Sequence, residues 1–154
     1  MEEIGKQSIQ TIESDVLCVG GGIAGLMAAI RAREMGASVV VAEKGNALYS
    51  GRGRAGNDHF WCYIPEVHGF DIESFLKECL KGPKLRIMQS GTSMKVLRTF
   101  LENSFEVVKL WDSWGIPMKY DGKWEFAGHS FPGDIFTHLK YKGRRQKKIL
   151  TNKA

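Results

Sequence analysis

The sequence predicts an α/β fold that begins with a βαβ unit containing a parallel strand pair and continues into helices and a small β-hairpin. Three observations support this prediction. A glycine-rich turn, 20–25, separates a strand-like run from a helix-like run. A second β-branched run, 38–43, follows within the roughly 30 residues that a βαβ unit occupies. Later in the chain, Asp121-Gly122 lies between two strand-like flanks, as in a tight hairpin.

A distinct sequence pattern predicts each segment of the βαβ unit. Residues 14–19, SDVLCV, are typical of a short buried strand. Residues 23–35, IAGLMAAIRAREM, have one apolar side and predict a helix, which Gly36 is suited to cap. Residues 38–43, SVVVAE, form a continuous β-branched run, which is typical of a strand buried on both faces of a parallel sheet.

The middle of the chain predicts a long loop followed by helices. Residues 44–70 are rich in glycine and aromatic residues, and loops of this length are usually functional. Asp71 can N-cap a helix that continues to about Leu80 and ends at Gly82-Pro83. Residues 90–115 predict one or two further helices.

The spacing of Asn103 and Glu106 is that of a capping box, which would start a second helix within 90–115. Gly115 and Pro117 end this helical stretch. The apolar stripe that precedes them is interpreted as core and consists of Phe105, Val108, Trp111 and Trp114. Residues 118–126 predict a hairpin with a type I′ turn, and residues 146–154 resemble an opening helix.

Composition and charge exclude several functional classes. The polar N-terminus, MEEIGKQSIQTIESD, lacks the apolar core of a secretory signal, and no apolar run reaches the roughly 18 residues of a membrane span. We therefore expect a cytoplasmic protein with no membrane span. The three cysteines, Cys18, Cys62 and Cys79, form no CxxC pair, so we expect reduced thiols and no metal site.

The net charge of +5 arises from the end of the chain. From Ile135 onward there are seven Lys or Arg residues and no acid, whereas the preceding residues carry a small acidic excess. A nucleic-acid interaction would depend on this basic tail alone. We interpret the tail as a surface helix of lysines and do not expect nucleic acid as a partner.

The glycines at 20–25 predict a dinucleotide site. Gly20, Gly22 and Gly25 match G-x-G-x-x-G, with Gly21 as an additional glycine, between a strand and a helix as the motif requires. Gly20 allows the tight turn, Gly22 lets a pyrophosphate approach the backbone, and Gly25 lets the helix pack closely. The first helical residues, Ile23 and Ala24, then offer N–H groups to the anion.

Glu43 completes the motif at the end of the second strand. A carboxylate at this position can accept hydrogen bonds from a ribose diol, and it would repel the 2′-phosphate of NADP. The fingerprint does not separate FAD from NAD, and both remain open on these residues alone.

The following loop, EKGNALYSGRGRAGNDHFW, resembles the segment after the fingerprint in the fumarate reductase and succinate dehydrogenase flavoprotein family, which includes the adenylylsulfate reductase α-subunit. Later, SFEVVKLWDSWGIPM and FAGHSFPG resemble that family more loosely. The resemblance implies a Rossmann-like FAD-binding domain. It adds Lys44, Ser50, Gly51, Gly56 and Asn57 to the residues expected to bind the cofactor.

The resemblance also sets limits. Family members with covalent flavin carry a histidine directly after the serine, and this position is Gly51 here, so noncovalent FAD is expected. Arg52 and Arg54 could meet a phosphate or a reduced flavin, or lie solvated on the loop. His59, Trp61 and Tyr63 are more consistent with packing than with contact to the flavin ring.

Family members are several times longer than this chain, so we expect an incomplete FAD domain with exposed apolar sheet surface. The resemblance implies an oxidoreductase with an iron–sulfur electron-transfer partner, but no residue here matches a catalytic position, and His129 has no partner residue that would make a mechanism. The alternatives are an NAD-binding domain and a non-catalytic dinucleotide-binding module.

Overall fold

A computed structural model describes residues 10–69, 71–81, 93–126 and 136–154. The chain divides into two units, one formed by Met1–Arg52 with Leu150–Ala154 and the other by Gly53–Ile149. The predicted fold class is confirmed, because the chain is mixed α/β with one parallel and one antiparallel strand pair.

The first unit contains the predicted βαβ arrangement. Strand β1 (Val16–Val19) leads through the glycine turn into helix α1 (Ile23–Glu34), and strand β2 (Val39–Ala42) returns parallel to β1, with Val16 opposite Val39. Gly36 follows the helix with a φ of +92°, as expected for a C-terminal cap.

A polar pair that the sequence analysis missed joins the starts of β1 and β2. The Asp15 carboxylate accepts hydrogen bonds from the Ser38 hydroxyl at 2.6 Å and from the Ser38 backbone N–H at 2.8 Å. These two bonds, the hydroxyl first, lower the pKa of Asp15 because they favour its charged form.

The sheet is not buried on both faces. Strand β2 is half-buried over residues 39–41 and exposed at Ala42, and β1 is buried only at Cys18, so the predicted burial of both strands was wrong. Helix α1 packs on the strands and buries Leu26, Ala29 and Ile30. By contrast, Leu17 is 61% exposed and Val19 84% exposed. A β-branched run shows that a segment favours a strand, but its burial depends on what packs against each face. The apolar sheet surface that we expected to be exposed is indeed exposed.

The predicted loop 44–70 contains regular structure in the second unit, which corrects the sequence interpretation. Strand β3 (His59–Trp61) pairs antiparallel with strand β4 (His138–Lys140), and a short helix α2 (Pro65–His68) follows β3. These elements are too short to show a clear periodicity in sequence.

Helix α3 (Ile72–Lys81) begins where the sequence predicts. The Asp71 side chain accepts a hydrogen bond from the Ser74 N–H at 2.8 Å, which is the expected N-cap bond. An ion pair between Arg98 and Glu73 joins α3 to the helix Met94–Ser113.

Helix α4 (Met94–Ser113) is a single helix across the predicted capping box. The Asn103 side-chain amide donates to the Thr99 carbonyl within the helix, so Asn103 does not cap a second one. The apolar stripe continues past this position, with Leu101 and Val108 fully buried on either side of it, and packing therefore overrides the local capping signal.

The core of the second unit lies between α3, α4 and the residues after β3. Its cluster of buried side chains consists of Tyr63, Phe75, Leu76, Leu97 and Leu101. Of the predicted stripe, Val108 and Trp111 are buried, whereas Phe105 and Trp114 are half-buried.

A buried polar cluster fixes the segment after β3 to α4. The Ser104 hydroxyl accepts a hydrogen bond from the Tyr63 N–H at 3.1 Å, donates to the Leu101 carbonyl at 2.7 Å and lies 3.4 Å from Cys62 Sγ. Burial raises the pKa of the Cys62 thiol to about 12, outweighing the opposite effect of the Ser104 contact. Cys18 is buried as well.

The predicted hairpin turn is confirmed. Tyr120 and Lys123 form an antiparallel bridge, and the two residues between them have positive φ values, 47° at Asp121 and 76° at Gly122, as a type I′ turn requires.

Helix α5 (Gln146–Lys153) forms where the sequence suggested an opening helix. The tail is not simply a solvated row of lysines, because Lys147 is only 3% exposed and Lys140 forms an ion pair with Glu125.

Several predictions fall outside the described residues, namely the polar leader up to residue 9, the helix end at Gly82-Pro83, and most of FAGHSFPG with His129. In the part of the chain that the structure describes, every helix is too short or too polar to span a bilayer.

Candidate functional site

The turn at 20–25 forms the centre of the candidate site in the first unit. Gly20 has a φ of +98°, and its N–H donates to the Ala42 carbonyl at 2.7 Å, so the end of β1 is held against β2. A Cβ on Gly25 would lie 1.9 Å from the Gly20 carbonyl oxygen. Glycine at position 25 is therefore required for the first turn of α1 to touch the end of the strand.

Gly22 combines open space with a backbone conformation that any residue can adopt, whereas Gly20 has open space but a positive φ. Gly22 is the N-cap residue of α1, with φ −67° and ψ 175°, and a Cβ built on it would have no atom within 4 Å. This backbone could accommodate a side chain without strain. The open space lies at the start of a helix, where the first N–H groups have no acceptor within the helix and favour an anion.

The Glu43 carboxylate lies beside the same turn. Its Oε2 accepts a hydrogen bond from the Gly21 N–H at 2.6 Å, and its Oε1 accepts one from the Gly45 N–H at 3.0 Å. Each carboxylate oxygen retains acceptor capacity, so these bonds orient the group without exhausting it.

This arrangement explains the additional glycine, which the sequence analysis left without a role. A Cβ on Gly21 would lie 3.0 Å from the Ala47 Cβ and 3.2 Å from Glu43 Oε2. Gly21 therefore makes room for the carboxylate and for the segment that follows β2. The run of three glycines at 20–22 was the only sequence signal for this contact.

Ser50 and Gly51 return to the glycine turn, as residues of the same unit. A Cβ on Gly51, whose φ is +73°, would lie 3.0 Å from the Gly22 Cα. The Ser50 Oγ is buried and has no hydrogen-bond partner among the described residues. A buried hydroxyl without a partner is costly, and such a group in a native structure calls for an explanation.

The first unit thus brings together most of the residues predicted to bind a cofactor. These are Gly20, Gly21, Gly22, Ile23, Ala24, Gly25, Glu43, Ser50 and Gly51, whereas Lys44 is exposed next to Glu43. Arg52 and Arg54 are exposed as well. The remaining two predicted residues, Gly56 and Asn57, belong to the second unit.

In the second unit, the backbone of Gly56 and Asn57 crosses and packs against the segment that contains Gly143. A Cβ on Gly56, whose φ is +80°, would lie 2.7 Å from the Arg144 Cα, and the Gly143 N–H donates to the Asn57 carbonyl at 3.0 Å. A Cβ on Gly143 would lie 2.1 Å from that carbonyl oxygen. Gly143 was not predicted from the sequence, because its role depends on Asn57, which lies far away in the chain.

Hydrogen bonds of the Tyr141 and Gln146 side chains stabilise this crossing. Its hydroxyl donates to Gln146 Oε1 at 2.5 Å, and the Gln146 amide donates to the Gly53 carbonyl at 3.2 Å. Burial raises the pKa of Tyr141 to about 12, with the hydrogen bond to Asn57 acting in the opposite direction.

The aromatic residues after the loop pack within the second unit, as the sequence analysis favoured. Tyr63 is buried, and Trp61 stacks on His138 with ring centroids 6.4 Å apart. Among the described residues, no group of three His, Cys, Asp or Glu side chains could hold a metal ion.

Two observations on the first unit test its fit to a dinucleotide. The space beside Gly22 would admit a group close to the backbone, and the buried Ser50 hydroxyl, next to Gly51, has no hydrogen-bond partner in the described part of the chain. Both fit an anionic ligand at the start of α1, and the nearby Glu43 carboxylate fits a ribose diol.

Comparisons with known proteins agree with this geometry. A search of solved structures finds adenylylsulfate reductase from the hyperthermophilic Archaeoglobus fulgidus, with a TM-score of 0.70 and 21% identity over 94% of this chain. A structure of adenosine-5-phosphosulfate reductase with sulfite as a covalent adduct gives a TM-score of 0.69, again with 21% identity over 94% of this chain. At this identity the similarity shows a shared fold.

The chain spans 22% of the length of each of these matched chains. No curated protein matches the sequence. The sequence model of the FAD binding domain, however, matches residues 15–152, which is nearly the whole chain and includes the turn, Glu43 and the loop. This match favours FAD over NAD and confirms the resemblance to the fumarate reductase and succinate dehydrogenase flavoproteins. The chain therefore belongs to the FAD binding domain family.

Proposed function

We propose that this chain binds FAD noncovalently, as part of a flavoprotein oxidoreductase that transfers hydride or electrons through the flavin. The observation that carries the proposal is the combination of open space at Gly22 with a buried, unpartnered Ser50 hydroxyl in the same unit. FAD would supply the redox chemistry, and the residues of the chain would bind and orient it.

Each part of the glycine turn has a task in this proposal. The N–H groups at the start of α1, from Ile23 to Gly25, would bind the pyrophosphate, and Gly22 would allow its close approach. The Ser50 hydroxyl would donate a hydrogen bond to the same anion. Glu43, already oriented by two backbone N–H groups, would accept hydrogen bonds from the ribose.

The loop that follows would contact the flavin. Gly51 has no side chain to form a covalent bond, which supports a noncovalent cofactor. Gly56 and Asn57, in the second unit, stay predicted flavin-binding residues on the family resemblance, and Arg52 and Arg54 are exposed. We assign no catalytic residue to the described part of the chain.

The substrate class and the electron-transfer partner are proposed from the family resemblance. The matched structures are adenylylsulfate reductases, one of them with sulfite, so a sulfur-containing or dicarboxylate-like substrate is proposed for the parent enzyme. An iron–sulfur subunit is the proposed electron partner, as the family resemblance implies. The cytoplasmic location stays a prediction.

The absorbance spectrum of the purified chain, before and after addition of FAD, tests the cofactor directly. Flavin bands near ~450 nm that are released on denaturation are expected for noncovalent FAD. Flavin that remains with the denatured protein would contradict the noncovalent mode. A colourless chain that ignores added FAD would refute the proposal, and an NADH titration would then test the NAD-binding alternative.

Gly22→Ala separates cofactor binding from folding. The new Cβ would meet no protein atom within 4 Å, so the unfolding midpoint should be unchanged, whereas FAD affinity should fall at least about tenfold because the methyl group fills the space assigned to the pyrophosphate. Gly45→Ala is the matched control, because its Cβ would make only an ordinary contact with Glu43 Oε1, at 3.7 Å. Equal FAD affinities in the two variants would argue against this site.

A further inference from the structure

The short turn 46–50 lies between two residues with different tasks in the proposed function. It follows Glu43, which is assigned to the ribose, and it ends at Ser50, whose hydroxyl is assigned to the pyrophosphate. The conformation of this turn determines where the Ser50 hydroxyl lies. A residue that fixes the turn would therefore act on cofactor binding without touching the cofactor.

Contacts with the glycine turn at 20–25 hold both ends of this segment. Ala47 lies against Gly21, since a Cβ on that glycine would be 3.0 Å from the Ala47 Cβ. Gly51, directly after Ser50, lies against Gly22, since a Cβ on Gly51 would be 3.0 Å from the Gly22 Cα. The curvature of the chain between these two contacts therefore sets the distance of Ser50 from the start of α1.

A single residue, Asn46, closes the turn with three hydrogen bonds. Its side-chain Oδ1 accepts a hydrogen bond from the Leu48 N–H at 2.9 Å. Its backbone carbonyl accepts hydrogen bonds from the N–H groups of Tyr49 and Ser50, both at 2.9 Å. An asparagine that bonds the backbone two residues further on mimics a backbone turn, so the side chain of Asn46 stabilises the same curvature as its carbonyl.

These bonds also decide which donor Ser50 offers to a ligand. The Ser50 N–H is used within the turn, so the hydroxyl is the donor that remains. The hydroxyl is buried and has no hydrogen-bond partner in the part of the chain that the structure describes. Its usefulness to a ligand thus depends on the backbone position that the turn imposes.

The Asn46 side chain itself is exposed, and so is its hydrogen bond to Leu48. Exposed side chains of this kind contribute little to the stability of a domain. Removal of the side chain should therefore loosen the turn while the first unit stays folded.

We propose that Asn46 is a positioning residue of the candidate site, whose turn holds the Ser50 hydroxyl where it can donate to an anionic group of the cofactor. This inference rests on the proposed FAD site. Without the Asn46 side chain, Ser50 occupies the binding position for only part of the time. The apparent FAD affinity then falls in proportion to that fraction.

Fluorescence titration of the flavin-free chain with FAD measures this loss. Asn46→Ala should bind FAD about three- to tenfold more weakly than the native chain. Asn46→Ser should regain most of the lost affinity, because a hydroxyl can accept the same bond. Asn103→Ala is the matched control, since it removes a side-chain hydrogen bond to the Thr99 carbonyl in the second unit, and it should stay within about twofold of the native affinity.

A double-mutant cycle with Ser50→Ala separates positioning from a general structural effect. In the Ser50→Ala chain, the additional change Asn46→Ala should weaken FAD binding by less than about twofold, because both substitutions remove the same interaction. A general loss of structure would instead persist in the Ser50→Ala chain. Urea denaturation of each flavin-free variant verifies that the titrated chains are folded.

The outcomes distinguish this inference from the proposed function. Native-like FAD affinity of Asn46→Ala, or losses that add fully in the double variant, would overturn the role of Asn46 and leave the FAD site standing. A native chain that binds no FAD would overturn the proposed function and this inference together.

Discussion

Glycine serves opposite purposes in the two units of this chain. In the first unit, Gly22 leaves a space, because no atom lies within 4 Å of where its Cβ would be. In the second unit, Gly56 and Gly143 allow two segments of the chain to pack closely. A Cβ on either glycine would lie within 3 Å of backbone atoms of the segment opposite. The difference shows that the same residue type leaves room beside the backbone at Gly22 and permits close packing of two segments at Gly56 and Gly143.

Two serines show the same contrast. Ser104 in the second unit is buried with its hydroxyl hydrogen-bonded to Tyr63 and Leu101. Ser50 in the first unit has a buried hydroxyl with no partner among the described residues. The hydroxyl of Ser104 is therefore satisfied within the second unit, whereas that of Ser50 has room for a hydrogen bond from a ligand.

The largest expected effect is that of Gly56→Ala on stability. The substitution combines a positive φ with a backbone clash at 2.7 Å, so it should lower the free energy of unfolding by about 3 kcal/mol. Gly69→Ala is the control, because it shares a positive φ but has open space and should cost only about 1 kcal/mol. Urea denaturation measures both, and equal losses would show that the crossing does not constrain the chain.

Ser104→Ala should have the second-largest effect on the free energy of unfolding. It leaves the buried Tyr63 N–H without its acceptor and should cost about 2 kcal/mol of unfolding free energy. Ser113→Ala, on the same helix but with an exposed hydroxyl, should change stability by less than about 0.5 kcal/mol. Equal stability of the two variants would show that the buried hydrogen bond of Ser104 does not stabilise the second unit.

Alkaline pH should weaken the second unit through Cys62. Burial raises the pKa of this thiol from 9.0 to about 12, so the unfolded chain loses the proton first. The stabilisation is fully present below pH 9.0 and is lost as the pH rises towards about 12, at up to about 1.4 kcal/mol per pH unit.

Urea unfolding at several pH values from 9.0 upward measures this loss, and Cys62→Ala should show a shallower fall than the native chain. Tyr141, whose pKa is also raised to about 12, contributes equally to both proteins, so the difference between the curves isolates the thiol. Parallel curves would exclude Cys62 as the titrating group.

The smallest expected change in stability is that of Ser50→Ala. Removal of an unpartnered hydroxyl should leave the unfolding free energy of the flavin-free chain within about 0.5 kcal/mol, while FAD binding weakens about three- to tenfold. Thr151→Val also removes a buried hydroxyl with no partner among the described residues and should leave FAD affinity unchanged. Equal FAD affinities in the two variants would mean that Ser50 does not serve the cofactor.

The local features of the fold were predictable from the sequence because their signals lie within a few residues of one another. The strand–turn–helix around 20–25, the cap at Asp71 and the turn at Asp121-Gly122 each follow from residue types with specific backbone preferences. The role of Glu43 followed from the spacing of the dinucleotide motif, whereas that of Ser50 depended on the family resemblance, because spacing alone does not predict it.

The remaining features depend on contacts between distant segments. Strand β4 has three residues and pairs with β3 from far along the chain, so no periodicity identifies it. Gly143 has a role only because Asn57 crosses it. The capping signal at Asn103 was overridden by continuous packing along α4. The exposure of β1 depends on which faces of the sheet are covered, and the sequence of the strand does not contain that information.

The exposed strand β1 has a further consequence for work with this chain in solution. Within the described residues β1 pairs with β2 alone, so an apolar strand presents Leu17 and Val19 beside an edge with no neighbouring strand. Such edges template the addition of strands from other molecules. Concentrated samples are therefore expected to lose protein to intermolecular β-sheet growth, and a lysine introduced on this strand should lengthen the lag before fibres or precipitate form.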